Sequence, residues 1–580
     1  MKKYFLSFIF ILFLIFNRIC FSAELGNVKI VYPSVNAKIK AASTFIVGST
    51  DSRCKLYINN EEVTVYPSGS FVKVVPLKGG VNNFSLTTKI GETQKTSKYK
   101  ICRIGKQKSI EKYPMQILKN SIKPKSNLVY NAGDTIPIEF QGSTGHYAYF
   151  KIGKKTIPMR ELSKTETGIN GVYKGFYKIL PEDNFQNAKI AVFLDDGKGK
   201  ISKTALGCLS VVSKENFALV RCLQNKTIIR ETPCGDRLPS LPKDTVLTIN
   251  AADGDFYRAN LTQDKNIWVN KKDVEVISKI NPSQPQTDLS DLSIYADKDN
   301  IYLSLPMEYK LPVIVGHPEP NKLRIDIYGS YNNFLMDEYQ DEEIKSLKII
   351  EPQSQKLSLL LEMNDKQIWG YDYYHQNDEF VLKLVKEPSV NPDIPLKDIV
   401  IALDAGHGGI EKGSVGPTGI CEKDINLAIV TYLKEELENA GAKVILTRNC
   451  DITTEIYSRP EIAKEAEALI LLSIHNNALP DGQDPYIKNG SGTYYYQAQA
   501  KPLAEAIQAS LLANIKLKDD GVNKSSFVLT RPNIPISVLV ECAYMINPNE
   551  YEMLIDSNHQ KDFAKAIKKG VEDFLIKQTN

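Results

Sequence analysis

The chain has 580 residues and carries 72 lysines and arginines against 68 aspartates and glutamates, a formal net charge of +4. This near balance does not point to a nucleic-acid partner, and the length predicts several domains. Beyond the N-terminus the sequence has no second long apolar run, so we expect no stable membrane span in the mature protein.

Residues 1–23 have the pattern of an export signal peptide. Two lysines precede an almost wholly apolar run from Tyr4 to Phe16, and small residues near Ala23 suit cleavage. The alternative is an uncleaved anchor, but the run is short for a membrane span and Arg18 follows it closely. We therefore expect an exported protein that acts in the periplasm, the cell envelope or the extracellular space.

Four strand-rich regions follow, and the first two predict β-sandwiches. Residues 24–103 contain short alternating strands between turn signals and resemble bacterial immunoglobulin-like modules. Residues 126–212 have a similar pattern. The lysine-rich stretch at 95–125 is interpreted as a connector, which is either simply solvated or attracted to an anionic wall polymer.

The third and fourth regions predict smaller β modules. Residues 217–278 indicate a small barrel that resembles a bacterial SH3-type module, a type that grips peptidoglycan in secreted hydrolases. Its Trp268 is either a ligand platform or part of the core. A linker rich in proline, serine and aspartate then leads to residues 293–386, a β-rich region that resembles AMIN-type targeting modules.

The cysteines give a weaker signal. No CxxC pair occurs, which argues against a structural zinc site built from cysteines. In an exported protein Cys54 can pair with Cys102, and Cys222 with Cys234, but the sequence does not determine the pairing.

In residues 398–577 strands alternate with amphipathic helices, which predicts an α/β domain with a mostly parallel sheet wrapped by helices. One helix is expected at 424–437, and further helices near 459–467, 500–514 and 560–576. The predicted fold is thus multidomain: several β-sandwich or β-barrel modules precede a C-terminal α/β domain.

Four residues of this last region are candidates for a metal site. His407, His475 and Glu541 each stand where a hydrophobic strand ends, and Glu422 lies in the loop entering a helix. Ligands bind beyond the carboxyl ends of strands in open α/β sheets, so these side chains are expected at one edge. Two histidines and one carboxylate with an open position are a catalytic zinc set, and a further glutamate is the usual base.

The glycines around His407 have a rival interpretation, a phosphate-binding loop. The segment lacks the Lys-Ser/Thr pair and the glycine spacing of such loops. Taken together, the motifs resemble the zinc-dependent N-acetylmuramoyl-L-alanine amidases of the AmiC and CwlV type across about residues 398–577. The matching motifs are LDAGHGG at 403–409, CEKD at 421–424, LTR at 446–448, SIHNN at 473–477, GTYYY at 492–496, DGV at 520–522, VEC at 540–542 and NPNE at 547–550.

The resemblance implies that His407, Glu422 and His475 bind one zinc ion and that Glu541 is the catalytic carboxylate. It further implies a hydrolase that cleaves the amide between N-acetylmuramic acid and the L-alanine of the peptidoglycan stem peptide. Cell wall remodelling or daughter-cell separation would be its role. The resemblance also leaves room for a regulatory activator protein as a partner.

The chain departs from the family pattern in three places. Ala405 replaces a proline, Gly521 replaces the arginine that follows Asp520, and Tyr544 stands in an Ala-Tyr pair where a Gly-Phe type pair is usual. None of these changes removes a predicted ligand. The segment between residues 477 and 492 is too short for a helical plug over the metal, so we expect an open groove.

The sequence leaves some roles open. Asp404 is expected either to orient a ligand or to cap the local backbone, and the thiols of Cys421 and Cys542, beside the two glutamates, are either inert or competitors for zinc. Two other functions compete: a zinc amidase or carboxypeptidase acting on free peptides, and a non-catalytic wall-binding protein with a degenerate last domain. The intact four-residue set argues against the latter. The other histidines are interpreted as structural: His146, His317, His375 and His559.

Overall fold

The structure, a computed structural model, describes residues 26–105, 110–212, 218–262, 264–278, 292–329, 338–353 and 355–579. The predicted signal peptide and nearly all of the linker after residue 278 lie outside these residues. The expected multidomain, strand-rich organisation is confirmed. In the part of the chain that is described, no helix is both long and apolar enough to cross a membrane.

The first β domain consists of two sheets packed around one apolar core. Its strands are β1 (Lys29–Tyr32), β2 (Lys38–Ile39), β3 (Ser43–Ser49), β4 (Lys55–Ile58), β5 (Glu61–Val63), β6 (Ser70–Pro76), β7 (Gly80–Ile90) and β8 (Thr93–Arg103). The sheets have the orders β1-β3-β6 and β2-β8-β7-β4-β5, and Ile46, Phe71 and Ile101 are fully buried between them. The connector prediction is wrong for residues 95–103, because their lysines lie on β8, which pairs with β7 along its whole length.

The second and third β domains share one hydrogen-bonded network. The second contains β9 (Leu128–Asn131), β10 (Thr135–Gln141), β11 (Tyr147–Ile152), β12 (Lys155–Leu162), the helix α1 (Lys164–Thr167), β13 (Val172–Lys178), β14 (Ala188–Asp195) and β15 (Lys200–Val212). The third contains β16 (Ala218–Cys222), β17 (Ile229–Arg230), β18 (Val246–Asp253), β19 (Phe256–Thr262), β20 (Lys265–Asn270) and β21 (Val274–Ser278).

Strand β9 joins these two domains, because it pairs with β15 on one side and with β18 on the other. Each domain nevertheless keeps its own core, around Phe150 in the second and Ile267 in the third. Trp268 is 7% exposed and its ring lies 6.5 Å from that of Tyr130. Its burial favours the packing role over that of an exposed ligand platform.

The fourth β domain has two four-stranded antiparallel sheets with the orders β22-β23-β29-β28 and β24-β25-β27-β26. The strands are β22 (Ser293–Ala296), β23 (Asn300–Pro306), β24 (Val313–Glu319), β25 (Lys322–Tyr328), β26 (Ile344–Gln353), β27 (Lys356–Met363), β28 (Tyr371–Gln376) and β29 (Glu379–Val385). Leu303, Ile325 and Leu359 are among the residues that form its core.

The C-terminal domain has one six-stranded sheet with the order β31-β30-β32-β35-β33-β34, and four of its five strand pairings are parallel. The strands are β30 (Val400–Ala405), β31 (Lys443–Leu446), β32 (Ile470–Asn477), β33 (Ser491–Tyr495), β34 (Asp519–Lys524) and β35 (Ile536–Tyr544). The helices are α2 (Glu422–Asn439), α3 (Ser458–Glu465), α4 (Lys501–Asn514), α5 (Pro548–Ile555) and α6 (Ser557–Thr579).

The central strands β30, β32 and β35 read as continuous apolar runs because both faces of a mostly parallel sheet are covered. Leu433, Ile507 and Phe563, from three different helices, belong to the core on the sheet. Helix α5 was not anticipated. It begins after Asn547, whose side chain accepts from the backbone N–H groups of the first turn, with a proline at the next position.

The first β domain is docked on the C-terminal domain. The carboxylate of Asp481 accepts hydrogen bonds from Tyr32 Oη (2.9 Å) and Thr44 Oγ1 (2.6 Å). A second carboxylate, that of Glu552 on α5, accepts from Ser70 Oγ at 2.9 Å. An apolar cluster fills the contact between these two points: Phe45, Val47, Val72, Ile546 and Leu479.

Candidate metal centre

The sheet brings the predicted site residues to one edge. Gly406 leaves β30 with its N–H donating to the carbonyl of Ile474 on β32 (3.0 Å), so His407 emerges beside the end of β32. On the opposite side of β32 from β30, His475 of β32 is the register partner of Glu541 of β35. Glu422 is the first residue of α2. Parallel strands that end at the same level, with the start of α2 beside them, therefore bring all four residues to this edge of the sheet.

Three of the four side chains form a compact cluster. Glu422 Oε1 lies 3.2 Å from His407 Nε2 and 3.0 Å from His475 Nδ1. The ligand atoms of the three residues all lie within 4.8 Å of one another. The side chain of Glu422 is 6% exposed, that of His475 17% and that of His407 28%. The cluster is therefore buried on the glutamate side and opens to solvent beside His407.

The Glu422 carboxylate is held in its ionised form. Burial alone would raise its pKa, but the hydrogen bonds and charges of His407 and His475 outweigh burial and hold the pKa well below its usual range. Backbone N–H groups also donate to it, that of Asn476 to Oε1 (3.2 Å) and that of Ser414 to Oε2 (2.8 Å). An ionised carboxylate beside two imidazoles is a donor set that fits a divalent ion such as zinc.

Glycines make room for this donor set. A Cβ at Gly413 would lie 2.5 Å from Glu422 Oε2 and 2.6 Å from His407 Cδ2, and one at Gly406 would lie 2.6 Å from His475 Nδ1. Gly413 also has a φ of +66°, in the left-handed region that favours glycine. The side chains converge only because the backbone around them lacks Cβ atoms.

Two buried arginines hold the turn that carries His407. Arg459 donates through Nη2 to the carbonyl of His407 (2.8 Å), and Arg448 donates through Nε to that of Ala405 (2.7 Å) and through Nη2 to that of Gly406 (3.1 Å). Their exposed fractions are 5% and 2%. Such outer contacts fix the orientation of a metal ligand.

Asp404 acts on the site through one of these arginines. Its carboxylate accepts from Arg459 Nη1 (2.7 Å), Thr447 Oγ1 (2.5 Å) and Ser473 Oγ (2.7 Å) and touches no member of the cluster. Of the two roles predicted for it, positioning a ligand indirectly is the one that these contacts support. Arg459 itself had no signal in the sequence, whereas Arg448 belongs to the LTR motif.

Glu541 lies outside the three-residue cluster and has the properties of a proton acceptor. Its Oε2 is buried and has no hydrogen-bond partner among the residues that the structure describes. Burial raises the pKa of its carboxyl to about 7; the charge of His475 opposes this rise, and those of Glu422 and Asp520 add to it. A pKa near neutrality lets one carboxyl both accept and return a proton.

One departure from the family pattern, Tyr544, contacts Asp520, the residue that precedes another departure, Gly521. Tyr544 donates through its hydroxyl to Asp520 Oδ2 (2.7 Å), and Lys488 forms an ion pair with the other oxygen of Asp520. The carboxylate that lacks the usual neighbouring arginine is thus neutralised by a lysine from the loop before β33. That loop, between residues 478 and 490, contains no helix, in agreement with the expected open groove.

The cysteines take no part in the cluster. All eight cysteines within the described ranges are free, so neither Cys54 with Cys102 nor Cys222 with Cys234 forms a disulfide. Burial raises the pKa of the Cys542 thiol. Burial also raises the pKa of the Cys421 thiol, although the charges of Lys412 and Lys423 oppose this rise. Protonated thiols are poor metal ligands, which favours the inert role for both.

The fold and the site define the class: a C-terminal α/β catalytic domain with a His-Glu-His cluster at the carboxyl edge of its sheet. Residues 401–573 match the sequence profile of the family described as N-acetylmuramoyl-L-alanine amidase. The N-acetylmuramoyl-L-alanine amidase LytC of Bacillus subtilis is 36% identical over 184 residues, which are 31% of this chain and 36% of LytC. The uncharacterized protein YqiI of the same organism is 31% identical over 197 residues, 33% of this chain and 93% of YqiI.

Among solved structures, the N-acetylmuramoyl-L-alanine amidase AmiC2 of Nostoc punctiforme matches with 32% identity and a TM-score of 0.29, over 32% of this chain and 99% of AmiC2. The chain belongs to the N-acetylmuramoyl-L-alanine amidase family. The match lies within the C-terminal domain, and it spans about a third of the length of LytC.

Proposed function

We propose that this protein is a zinc-dependent N-acetylmuramoyl-L-alanine amidase that cleaves the amide between N-acetylmuramic acid and the L-alanine of the stem peptide. One observation carries the proposal: His407, Glu422 and His475 converge beside Glu541, whose buried carboxyl oxygen has no partner among the described residues. Membership of the amidase family supports peptidoglycan as the substrate.

His407, Glu422 and His475 would hold one zinc ion. When bound, zinc supplies Lewis-acid chemistry, since it polarises a carbonyl and lowers the pKa of water to about 7. Glu541 accepts a proton from the attacking water as the new C–O bond forms at the lactyl carbonyl. It then gives this proton to the L-alanine nitrogen as the C–N bond breaks, so the carboxylate is restored after each turnover. Arg448 and Arg459 keep His407 in place during these steps.

The remaining regions are proposed to bring this domain to the wall. Residues 1–23 would direct export to the periplasm, cell envelope or extracellular space. The immunoglobulin-like region (24–103), the second sandwich (126–212), the SH3-like barrel (217–278) and the AMIN-like region (293–386) would bind or orient peptidoglycan. These regions and a regulatory activator protein would control the amidase activity. The enzyme would act in wall remodelling or daughter-cell separation.

The deciding experiment is mass spectrometry of the products from purified sacculi, with and without a chelator. The proposal expects intact stem peptides with a free L-alanine amino group, glycan strands without peptides, and no release after chelation. Glu541→Gln should keep the zinc content and abolish release, whereas the exposed Glu435→Gln on α2 should match the wild type. Release of single C-terminal amino acids would instead identify a carboxypeptidase, and binding without release a wall-binding protein.

A further inference from the structure

A cavity of about 500 Å³ lies where three domains meet, away from the metal cluster. Its wall includes Arg237 of the third β domain, Tyr371 and Asp372 of the fourth, and Tyr457 and Arg531 of the C-terminal domain. The domains also touch one another here: Tyr373 Oη donates to the carbonyl of Ser240 at 2.8 Å. A molecule in this cavity would contact all three domains at once.

The wall of the cavity carries an excess of positive charge. Its charged members are Lys226, Arg237, Lys464, Lys524 and Arg531 against Asp372 and Glu461. Lys464 and Asp372 neutralise each other at 2.7 Å. Within the described ranges, neither Arg237 nor Arg531 has a carboxylate partner, and Lys524 has none either.

The two arginines are instead held by neutral groups. Arg531 donates through Nε to Ser526 Oγ (2.9 Å) and through Nη2 to the carbonyl of Ser526 (2.6 Å), and Arg237 Nη2 lies 3.4 Å from Tyr457 Oη. Burial lowers the pKa of Arg531, and the charges of Arg237 and Arg230 lower it further. Two mutually repelling cations facing one cavity are stabilised when an anion enters it.

The neutral part of the wall suits a sugar or a peptide. Tyr457 is 51% exposed, and the ring of Tyr496 lies beside Lys524 in the same wall. The side-chain amide of Gln497 donates to Asn533 Oδ1 (2.7 Å) and to the carbonyl of Arg531 (2.9 Å), which fixes it in the wall. Aromatic faces and fixed amides bind hydroxyl, acetamido and peptide groups rather than a bare ion.

The cavity is also connected to the metal cluster through α3. Tyr457 directly before this helix and Lys464 near its end line the cavity. Arg459 in its first turn donates to the carbonyl of His407. An occupant that contacts Tyr457 therefore acts on the helix that supports a predicted metal ligand.

We propose that this cavity is a second binding site for peptidoglycan, which takes the free carboxylates of a stem peptide together with the adjoining glycan. The inference rests on the proposed function for the identity of the polymer. It assigns Arg237 and Arg531 to carboxylate recognition, and it makes the third and fourth β domains contribute to substrate binding together with the C-terminal domain.

The test measures binding of the full chain to purified sacculi by co-sedimentation, in a chelator that stops hydrolysis. The double variant Arg237→Gln with Arg531→Gln should bind about tenfold more weakly than the wild type, because it loses two charge-assisted contacts. The control is Lys443→Gln with Lys569→Gln, which removes the same charge from side chains that are 65% and 55% exposed on the C-terminal domain, outside the cavity. It should bind like the wild type.

Two pretreatments of the sacculi identify the anion. Amidation of the stem-peptide carboxyl groups should abolish the difference between wild type and double variant, and hydrofluoric acid, which strips phosphodiester-linked polymers, should leave it unchanged. Equal binding of the two proteins, or a difference removed only by the acid, would overturn the proposal. Loss of Arg531 also removes contacts to Ser526. If the double variant therefore melts at a lower temperature than the wild type, the sacculus binding of Arg237→Gln alone is the deciding measurement.

A separate assay keeps the proposed function distinguishable. Metal-loaded wild type is tested on N-acetylmuramyl-L-alanyl-D-isoglutamine, a soluble substrate for the metal site. Cleavage by the wild type, with weaker sacculus binding by Arg237→Gln, supports both the amidase assignment and the second site. Absence of cleavage by the wild type would count against the amidase assignment, whatever the sacculus binding shows.

Discussion

Replacement of Gly406 by alanine tests the metal centre without replacing a predicted ligand. The new Cβ would lie 2.6 Å from His475 Nδ1 and closer still to two other atoms of the ring. Carbon atoms in ordinary contact stand about 3.5–4.0 Å from their neighbours, so the imidazole has to retreat by roughly 1 Å. The φ of Gly406 is outside the left-handed region, and alanine therefore adds no backbone strain of its own.

A displacement of this size is large for a metal ligand, since ligand distances hold to within about 0.2 Å in real sites. Disturbed support of a ligand typically weakens metal binding by about 10–100-fold, which corresponds to about 1.4–2.8 kcal/mol. We expect Gly406→Ala to lose zinc affinity in this range and to lose amide cleavage in proportion to its zinc content.

The assay is a competition titration of zinc against a chromophoric chelator, with thermal unfolding of the metal-free proteins recorded in parallel. Gly199→Ala is the matched control, because a Cβ there meets nothing within 4 Å. If Gly406→Ala binds one zinc ion with wild-type affinity, His475 is not a ligand and the proposed geometry of the site is wrong.

Three further predictions concern residues around the site. Arg459→Lys keeps a charge beside Asp404 but loses the second donor to His407, and zinc affinity should fall by about tenfold in the same titration. Burial raises the pKa of Glu550 from 4.5 to about 7, so its contribution to stability is complete below pH 4.5 and is lost as the pH rises through 7. Relative to wild type, Glu550→Gln should therefore gain about 3 kcal/mol of unfolding free energy between pH 4 and pH 8 in urea titrations. Glu552→Ala removes the acceptor of Ser70 Oγ, which should weaken docking of the first β domain by about 2 kcal/mol and speed hydrogen exchange in β6.

Each of these three predictions has an outcome that would contradict it. Wild-type zinc affinity in Arg459→Lys would mean that the turn carrying His407 keeps its conformation without the guanidinium group of Arg459. A pH-independent difference between wild type and Glu550→Gln would contradict the protonated buried carboxyl. Unchanged exchange of β6 in Glu552→Ala, with the exposed Glu435→Ala as control, would place the first β domain away from α5 in solution.

Much of the C-terminal fold could be predicted because its signals are local. The apolar runs that end before His407, His475 and Glu541 identify strands, and their order with intervening helices implies one shared edge. The unanticipated α5 also carried a local signal, an asparagine followed by a proline, within the NPNE motif at 547–550.

Other features depend on residues far apart in the chain. Arg459 reaches the carbonyl of His407 from 52 positions away, and Asp481 meets Thr44 across 437. The continuous sheet through β9 likewise joins regions whose separate patterns predicted two closed modules.

The sequence by itself determined the type of chemistry, since the residue types and their positions at strand ends can be recognised from short contiguous segments. Only the tertiary structure decided that one oxygen of Glu541 lacks a partner among the described residues, that arginines support the His407 turn, and that a cationic cavity lies between Arg237 and Arg531. The physical reason is that burial, hydrogen bonding and charge repulsion depend on distances in space. Periodicity along the chain carries no information about which distant side chains will share one cavity.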